Sequence, residues 1–348
     1  MPLSKQRNDI GTSLIRFLSY PVFFDPESPR AAGYVMEHFW AIRSCTRTRR
    51  LLKFLVDPAI RRAGKRDRER LADHPRFDRL RPYFEVNTEV VIDARRFFRV
   101  IDFDRREVIN ILKSDDLKAY YDNELTARRR LSGLEFIPRL IETDEEKKVF
   151  REEYVCERPF KSGSLRDLDP VTFADRLKEI VRQVRNSAPV RPVGAGDYLA
   201  GLTGEILSRP EADEQVRRYV RLWEESASRL DRVELAFSHG DFRPDQLFFA
   251  RDGSVRIIDW ENSGYFSRHR DLIGFYVNER WLYRNPVVSL ESLLEASGRP
   301  LEAVCSLFLL ELATVPVRIG RPSLLPVSIS SLRKVAKRMS REIPGLEY

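Results

Sequence analysis

The chain has 348 residues, of which 42% are hydrophobic and 33% charged, and its net charge is +8 at neutral pH. This composition predicts a globular protein with a sizeable core, in one large domain or two lobes, and excludes a low-complexity chain. Three widely spaced cysteines (Cys45, Cys156 and Cys305) argue against a disulfide framework and for a reducing compartment. No signal peptide is evident and no apolar run approaches the ~20 residues that span a bilayer, so we expect a cytoplasmic protein.

Residues 1–85 carry the strongest concentration of positive charge. Fourteen basic and five acidic residues between positions 43 and 81 give this segment a net charge of +9. Apolar residues at helical spacing in Gly33–Leu55 predict that residues 1–85 form a basic, mainly helical N-terminal extension. Three interpretations stay open: a solvated face that caps the core, peripheral contact with an anionic membrane or glycan, and nucleic-acid binding. No recognised motif supports nucleic acid as a partner, so none is expected.

Residues 86–156 have the pattern of a small antiparallel sheet with one helix. Alternating β-like runs separated by charged turns predict the strands, and a longer polar-apolar segment predicts the helix. The predicted strands are Glu89–Asp93, Phe97–Phe103, Glu107–Leu112, Ile137–Glu142 and Lys148–Val155, and the predicted helix is Asp116–Leu131.

Residues 157–348 are predicted to be mainly helical. The helical segments end at prolines, glycines and polar turns. They are Asp167–Val184, Glu211–Leu230, Asp271–Tyr283, Leu290–Ala296, Leu301–Thr314 and Ser328–Ile343. The last of these is basic, as is the N-terminal region, which argues against a polycationic substrate and favours a neutral or anionic one.

One stretch within residues 157–348 contains candidate catalytic and metal-binding residues. The run Ser238–Phe249 reads Ser-His-Gly-Asp-Phe-Arg-Pro-Asp-Gln-Leu-Phe-Phe, and Val255–Glu261 follows after a turn at Asp252-Gly253. Two short β-like runs around that turn predict a hairpin, with Asp241 before it and Asp259 after it. Two carboxylates in this arrangement suit phosphoryl transfer, one orienting a hydroxyl and the other holding Mg²⁺ on phosphates.

The segment His-Gly-Asp-x-x-Pro-x-Gln-Leu, followed by Ile-Asp-Trp-Glu, resembles the aminoglycoside phosphotransferase and choline kinase superfamily. The resemblance implies an α+β, bilobal protein-kinase-like fold. Residues 86–156 would form the small antiparallel-sheet lobe and residues 157–348 the larger, mainly helical lobe. One departure is Gln246, which stands where the family has asparagine and offers the same amide oxygen one methylene further out.

The resemblance also implies ATP and Mg²⁺ as cofactors and assigns roles to residues. Asp241 is the expected catalytic base, and Gln246 and Asp259 are the expected metal ligands. Arg243 stands where it would stabilise the transferring phosphoryl group, with a substrate or surface contact as the alternative. His239 is expected to support the loop rather than transfer a proton.

Lys113, which closes the third strand, resembles the lysine that contacts the nucleotide phosphates in kinases. Glu124 on the following helix would pair with it, although two surface charges remain the alternative. Tyr154 and Cys156 lie in the expected hinge, whose backbone would contact adenine.

Four further residues have either alternative roles or a structural role. Arg95 and Arg96 occupy the turn where protein kinases carry glycines, and they are either phosphate contacts or ordinary turn residues. Glu261 is a metal or substrate contact, or neither. Asp271 resembles the aspartate that braces the catalytic loop.

These observations predict an ATP-dependent kinase that acts on a hydroxyl group of a small molecule or saccharide. A first alternative is a kinase of a membrane-attached glycolipid, such as a lipopolysaccharide core sugar, that docks on the inner membrane face through the basic N-terminal region. A second is a nucleotide-binding pseudokinase or scaffold.

Overall fold

The computed structural model describes residues 15–16, 22–25, 28–35, 75–83, 88–155, 158–159, 170–249, 254–282, 289–290, 294, 300–346 and 348. The chain divides into two compact units. Unit 1 comprises residues 1–161 and 245–261, and unit 2 comprises residues 162–244 and 262–348.

Unit 1 is built on a seven-stranded antiparallel sheet with the order β1-β2-β3-β4-β5-β7-β6. Its strands are β1 (Ile15–Arg16), β2 (Val22–Phe24), β3 (Val90–Asp93), β4 (Phe97–Asp102), β5 (Glu107–Leu112), β6 (Leu140–Asp144) and β7 (Val149–Glu153). The first three predicted strands correspond to β3, β4 and β5, and each bound agrees within one residue. Within residues 1–85, the described part includes the strands β1 and β2, and apolar Val22 and Phe23 are buried as β2 pairs with β3.

The helical segments of unit 1 cover the two faces of this sheet. They are α1 (Pro29–Val35), α2 (Lys118–Arg130), and the 3₁₀ segments Pro75–Tyr83 and Asp115–Leu117. The first face packs against Phe77 and Leu80 of the 3₁₀ segment Pro75–Tyr83. Its buried side chains include Val91, Phe98, Val100, Ile109 and Ile111.

Because side chains alternate along a strand, the strand residues that lie between those of the first face point to the opposite, second face of the sheet. Helix α2 packs there through Tyr121 and Leu125, against Phe97, Leu112 and Phe150. Helix α1 covers Val90 and Ile101, also on the second face.

The predicted hairpin forms and belongs to unit 1. It consists of β11 (Leu247–Phe249) and β12 (Val255–Ile257), and β11 also pairs with β8 (Arg158–Pro159). The amide of Ile257 donates to the carbonyl of Phe136 at 2.8 Å. These hydrogen bonds connect residues 245–261 to unit 1. From their position in the sequence, we expected these residues to belong with residues 157–348. The domain boundaries expected near residues 85 and 156 stay a prediction.

Unit 2 is mainly helical, with one three-stranded antiparallel sheet in the order β13-β10-β9. Its strands are β9 (Arg191–Gly194), β10 (Arg232–Ser238) and β13 (Gly264–Ser267). Its helices are α3 (Pro170–Asn186), α4 (Ala195–Leu207), α5 (Glu214–Ala227), α6 (Arg270–Leu282), α7 (Leu301–Ala313), α8 (Val315–Arg318) and α9 (Leu325–Met339).

Helices α5 and α7 show how the sequence specifies this core. The carboxylate of Asp213 caps α5 by accepting from the amide of Val216 at 2.8 Å, and one face buries Val220 and Trp223. Helix α7 is buried on nearly every side, as its apolar composition requires. In the part of the chain that the structure describes, no helix has the length and apolarity needed to cross a membrane.

Several predictions lie outside the described residues. They are the helix beyond Val35, most of the basic region 43–81 with its expected membrane contact, Cys156, the turn Asp252-Gly253 and most of the helix Leu290–Ala296.

Candidate active site

The described site residues that the sequence predicted fall in both units. Asp241 and Arg243 belong to unit 2, and Lys113, Glu124, Tyr154, Gln246 and Asp259 belong to unit 1.

Strand β10 leads directly into the loop His239-Gly240-Asp241. The carboxylate of Asp271, at the start of α6, accepts from the amide of His239 at 2.7 Å and from the amide of Gly240 at 3.0 Å. Burial raises the pKa of Asp271 above its ordinary value, while the neighbouring His239 and the two amides work in the opposite direction. The predicted brace by Asp271 is therefore present.

Gly240 is required by the geometry of this loop. Its φ angle is +81°, a left-handed conformation that residues with a Cβ atom rarely adopt. A Cβ atom here would also lie 2.1 Å from the carbonyl oxygen of Asn262. Both constraints keep the chain in one path immediately before Asp241.

A second brace holds the same loop and was not predicted. The Nε atom of Arg270 donates to the carbonyl of Gly240 at 3.3 Å, and its guanidinium pairs with Glu311 at 3.2 Å. Glu311, on α7, also accepts from the amide and hydroxyl of Ser267 at 2.8 and 3.0 Å and from the Tyr198 hydroxyl at 2.8 Å. The signal in the sequence was a carboxylate flanked by apolar residues within a helix, which needs a polar partner when buried.

The side chains of the loop differ in exposure. Asp241 is 40% exposed, and the Nε atom of Arg243 lies 3.5 Å from its carboxylate. His239 is buried and its ring packs against Phe242 at a centroid distance of 5.8 Å. This burial agrees with a supporting role for His239, whereas the Asp241 side chain is open to solvent.

In unit 1, the segment after β12 carries two acidic side chains, which pair with an arginine on β4 and with an arginine in the turn before β4. Asp259 pairs with Arg99 on β4, and Glu261 pairs with Arg96. Burial and the neighbouring Asp259 carboxylate raise the pKa of Glu261, against the effect of Arg96. Asp259 has a φ angle of +69°, a conformation uncommon for a non-glycine residue and often found at functional sites.

The turn residues Arg95 and Arg96, whose role was open, now differ from each other. Arg95 is exposed, whereas Arg96 is buried, pairs with Glu261 and stacks on the ring of Tyr120 at 3.6 Å. Arg96 therefore acts as an anchor for the segment that follows Asp259.

The residues expected to hold Mg²⁺ come from neighbouring positions in unit 1. Gln246 is buried. Its main-chain carbonyl accepts from the amide of Ile258 at 3.2 Å, which brings Gln246 close to the residue before Asp259. A carboxylate and an amide oxygen are hard ligands that suit Mg²⁺, which keeps several waters and binds substrate phosphates. The donor set therefore fits the ion, although among the described residues no group of three or more His, Cys, Asp or Glu is arranged to hold a metal.

The predicted ion pair between Lys113 and Glu124 is wrong. Lys113 pairs with Asp93 and lies 4.8 Å from the ring centroid of Phe98, on the first face of the sheet. Glu124 lies on the helix that covers the second face, so the sheet separates the two side chains.

Glu124 instead belongs to a buried network on the second face. The Nε atom of Arg128 donates to Glu124 at 2.7 Å, and the same guanidinium pairs with Glu152. Asn110 on β5 completes the network by donating to Glu152 at 2.8 Å. Burial raises the pKa of Glu124 to about 7, although the Arg128 guanidinium opposes this change.

Of the two expected hinge residues, only Tyr154 is described. Its amide donates to the carbonyl of Arg106 at 2.8 Å, so this amide already has an acceptor within unit 1. Its ring contacts Phe103 and Tyr34 at centroid distances of 5.5 and 6.2 Å.

An antiparallel sheet, a braced His-Gly-Asp loop and an acidic residue after a hairpin define the class of protein-kinase-like phosphotransferases. The model of a family described as the phosphotransferase enzyme family matches residues 92–305, and the chain belongs to that family. The superfamily predicted from the sequence is thereby confirmed. No curated protein sequence matches the chain.

Solved structures show the same fold. A choline/ethanolamine kinase family protein from Mesorhizobium loti has a TM-score of 0.52 at 16% identity, covering 79% of this chain and 96% of its own. The ADP-bound aminoglycoside phosphotransferase APH(2'')-Ib has a TM-score of 0.51 at 12% identity, covering 78% of this chain and 99% of its own. At these identities the likeness shows the fold, and the predicted protein-kinase-like α+β class is confirmed.

Proposed function

We propose that the chain transfers the γ-phosphoryl group of ATP to a hydroxyl group of a small molecule or saccharide. Membership of the phosphotransferase family supports the reaction class. The observation that carries the proposal is the braced loop: Asp271 and Arg270 fix the backbone beside Asp241, whose carboxylate stays 40% exposed. A fixed backbone with an accessible carboxylate is what a general base requires.

In the proposed reaction, Asp241 accepts the proton of the acceptor hydroxyl. The hydroxyl oxygen bonds to the γ-phosphorus of ATP while the bond from that phosphorus to ADP breaks. Arg243, beside Asp241, contributes positive charge for the transferring phosphoryl group. Mg²⁺, held by Asp259 and Gln246, would supply positive charge to the phosphate oxygens.

We propose the phosphate acceptor by its chemical class. The similar structures are named for choline or ethanolamine and for aminoglycosides, and one has ADP bound, which supports an adenine nucleotide and a hydroxyl-bearing acceptor. The basic charge of this chain favours neutral or anionic acceptors, so sugars and a glycolipid belong in the same panel.

The test is transfer of radiolabelled phosphate from γ-labelled ATP to this panel, with Mg²⁺ present. We expect one acceptor class to be labelled by the wild type, and Asp241→Asn to lower kcat by at least about 100-fold, because the base is lost. Asp231→Asn, which changes an exposed carboxylate of the same unit, is the matched control and should leave kcat unchanged. Wild-type turnover by Asp241→Asn would reject the proposal.

One observation favours a second candidate, a protein that binds nucleotide without transferring phosphate. Arg99 and Arg96 hold the carboxylates of Asp259 and Glu261, and arginine competes with a metal ion for such groups. Tight binding of Mg-ATP together with no ADP formation, across the whole panel, would support this candidate over the enzyme.

A further inference from the structure

Arg99 occupies a central position on the second face of the sheet. In the register of β4 and β5 it lies opposite Asn110, and Asn110 lies opposite Phe150 on β7. Phe150 packs against helix α2, so these three side chains share the face that α2 covers. On this face, β5 therefore presents the neutral side-chain amide of Asn110, and the neighbouring β4 presents the positively charged guanidinium of Arg99.

The lysine predicted for this role lies on the other face. Lys113 directly follows Leu112, whose side chain packs under α2, so alternation directs Lys113 away from that helix. Its ion pair with Asp93 and its contact with Phe98 place it beside the cluster formed by the first face. Lys113 and Asp259 thus lack the common face that a shared ligand would need, because Asp259 pairs with Arg99 on the second face.

The guanidinium of Arg99 has donors left for a ligand. One terminal nitrogen donates to Asp259, which among the described residues is the one hydrogen-bond acceptor of this guanidinium. The side chain is 21% exposed and that of Asp259 is 23% exposed, so solutes can reach the pair. A planar guanidinium with several parallel donors matches the oxygens of a phosphate group.

Two of the carboxylates near Arg99 are paired with other arginines and do not occupy its guanidinium. Glu152 is paired with Arg128, and Glu261 is paired with Arg96. Asp259 is the carboxylate that Arg99 itself holds. A guanidinium stays protonated in proteins even where it is partly buried, so Arg99 carries its positive charge. Asp259 would hold a metal ion here, and Arg99 beside it would offer its donors to phosphate oxygens.

We propose that Arg99, rather than Lys113, supplies the cation that binds the nucleotide phosphates beside Asp259. This inference rests on the proposed function, because it assumes that the chain binds ATP.

The test is the affinity of the purified full-length chain for Mg-ATP and for adenosine, measured by isothermal titration calorimetry. Arg99→Met removes the charge and keeps an apolar stem, and Lys113→Met is the matched control on the opposite face of the same sheet. We expect Arg99→Met to weaken Mg-ATP binding by at least about 10-fold, as the loss of a charge-assisted hydrogen bond implies. Lys113→Met should change it by less than about 3-fold, and neither variant should alter adenosine binding.

The outcomes separate this inference from the proposed function. If the wild type does not bind Mg-ATP, the proposed function fails and the inference fails with it. If the wild type binds and Arg99→Met binds equally well, or if Lys113→Met is the weaker variant, the inference alone is overturned. Should Arg99→Met not fold, Arg99→Gln decides: it removes the charge but keeps a polar side chain, and unchanged affinity for Mg-ATP would overturn the assignment.

Discussion

At the scale of single residues, the loop His239-Gly240-Asp241 contains a glycine whose neighbours leave no room for a side chain. Gly240 combines a positive φ angle with a backbone oxygen 2.1 Å from the place of a Cβ atom. Because that oxygen belongs to the main chain of Asn262, it cannot rotate away as a flexible side chain would. Substitution must therefore move the loop that carries Asp241.

We predict that Gly240→Ala lowers the free energy of unfolding by about 1–3 kcal/mol and lowers kcat as well. Equilibrium denaturation and the phosphate-transfer assay measure the two effects. Gly201→Ala is the control, because Gly201 lies within α4 with no atom within 4 Å of its Cβ position, and alanine there should be neutral or stabilising. A Gly240→Ala variant as stable as the wild type would show that the loop can relax.

At the scale of secondary-structure elements, helix α7 supports the loop from a distance in sequence. Its Glu311 is fully buried and balances Arg270, which reaches the Gly240 carbonyl. The same helix carries Glu302, which pairs with the exposed Arg229 at the surface. One helix thus offers a buried and a surface ion pair for direct comparison.

We predict that Glu311→Gln costs about 3–5 kcal/mol of stability, because the buried Arg270 loses its counter-charge. Glu302→Gln should cost less than about 1 kcal/mol, since an exposed pair contributes little. Chemical denaturation of both variants tests the difference. Equal effects of the two substitutions would show that Glu311 is not what neutralises Arg270.

At the scale of the whole molecule, ligand binding should raise the free energy of unfolding. If Asp259 and Gln246 hold Mg²⁺ on a nucleotide, Mg-ATP stabilises the folded chain by mass action, by about 2.7 kcal/mol at 100 times its Kd.

We predict that Mg-ATP raises the midpoint of thermal unfolding and that excess EDTA removes most of this shift. Asp259→Asn should lose the Mg²⁺-dependent part, whereas Asp93→Asn, which changes the acidic partner of Lys113, should keep it. An Asp259→Asn variant stabilised by Mg-ATP as strongly as the wild type would disprove the metal assignment.

Local sequence patterns located much of the fold and part of the site. Alternation and turn residues placed β3, β4, β5 and the hairpin, and the resemblance of Asp271 to the family's bracing aspartate indicated the braced loop. Strands β1 and β2 were missed because each is only two or three residues long and is recognised by its pairing with a neighbour. The Arg270–Glu311 brace was missed because its members are 41 residues apart and meet only through packing.

What the sequence by itself determined is the chemistry of the chain: the order of its acidic residues around a loop and a hairpin, and through it the phosphotransferase family. What only the tertiary structure decided is which basic residue shares a face with Asp259. Lys113 has the expected position along the chain, but strand alternation directs it to the first face, and the register of β4 brings Arg99 to Asp259 instead. Linear spacing does not encode cross-strand neighbours, because they depend on how separate strands are aligned.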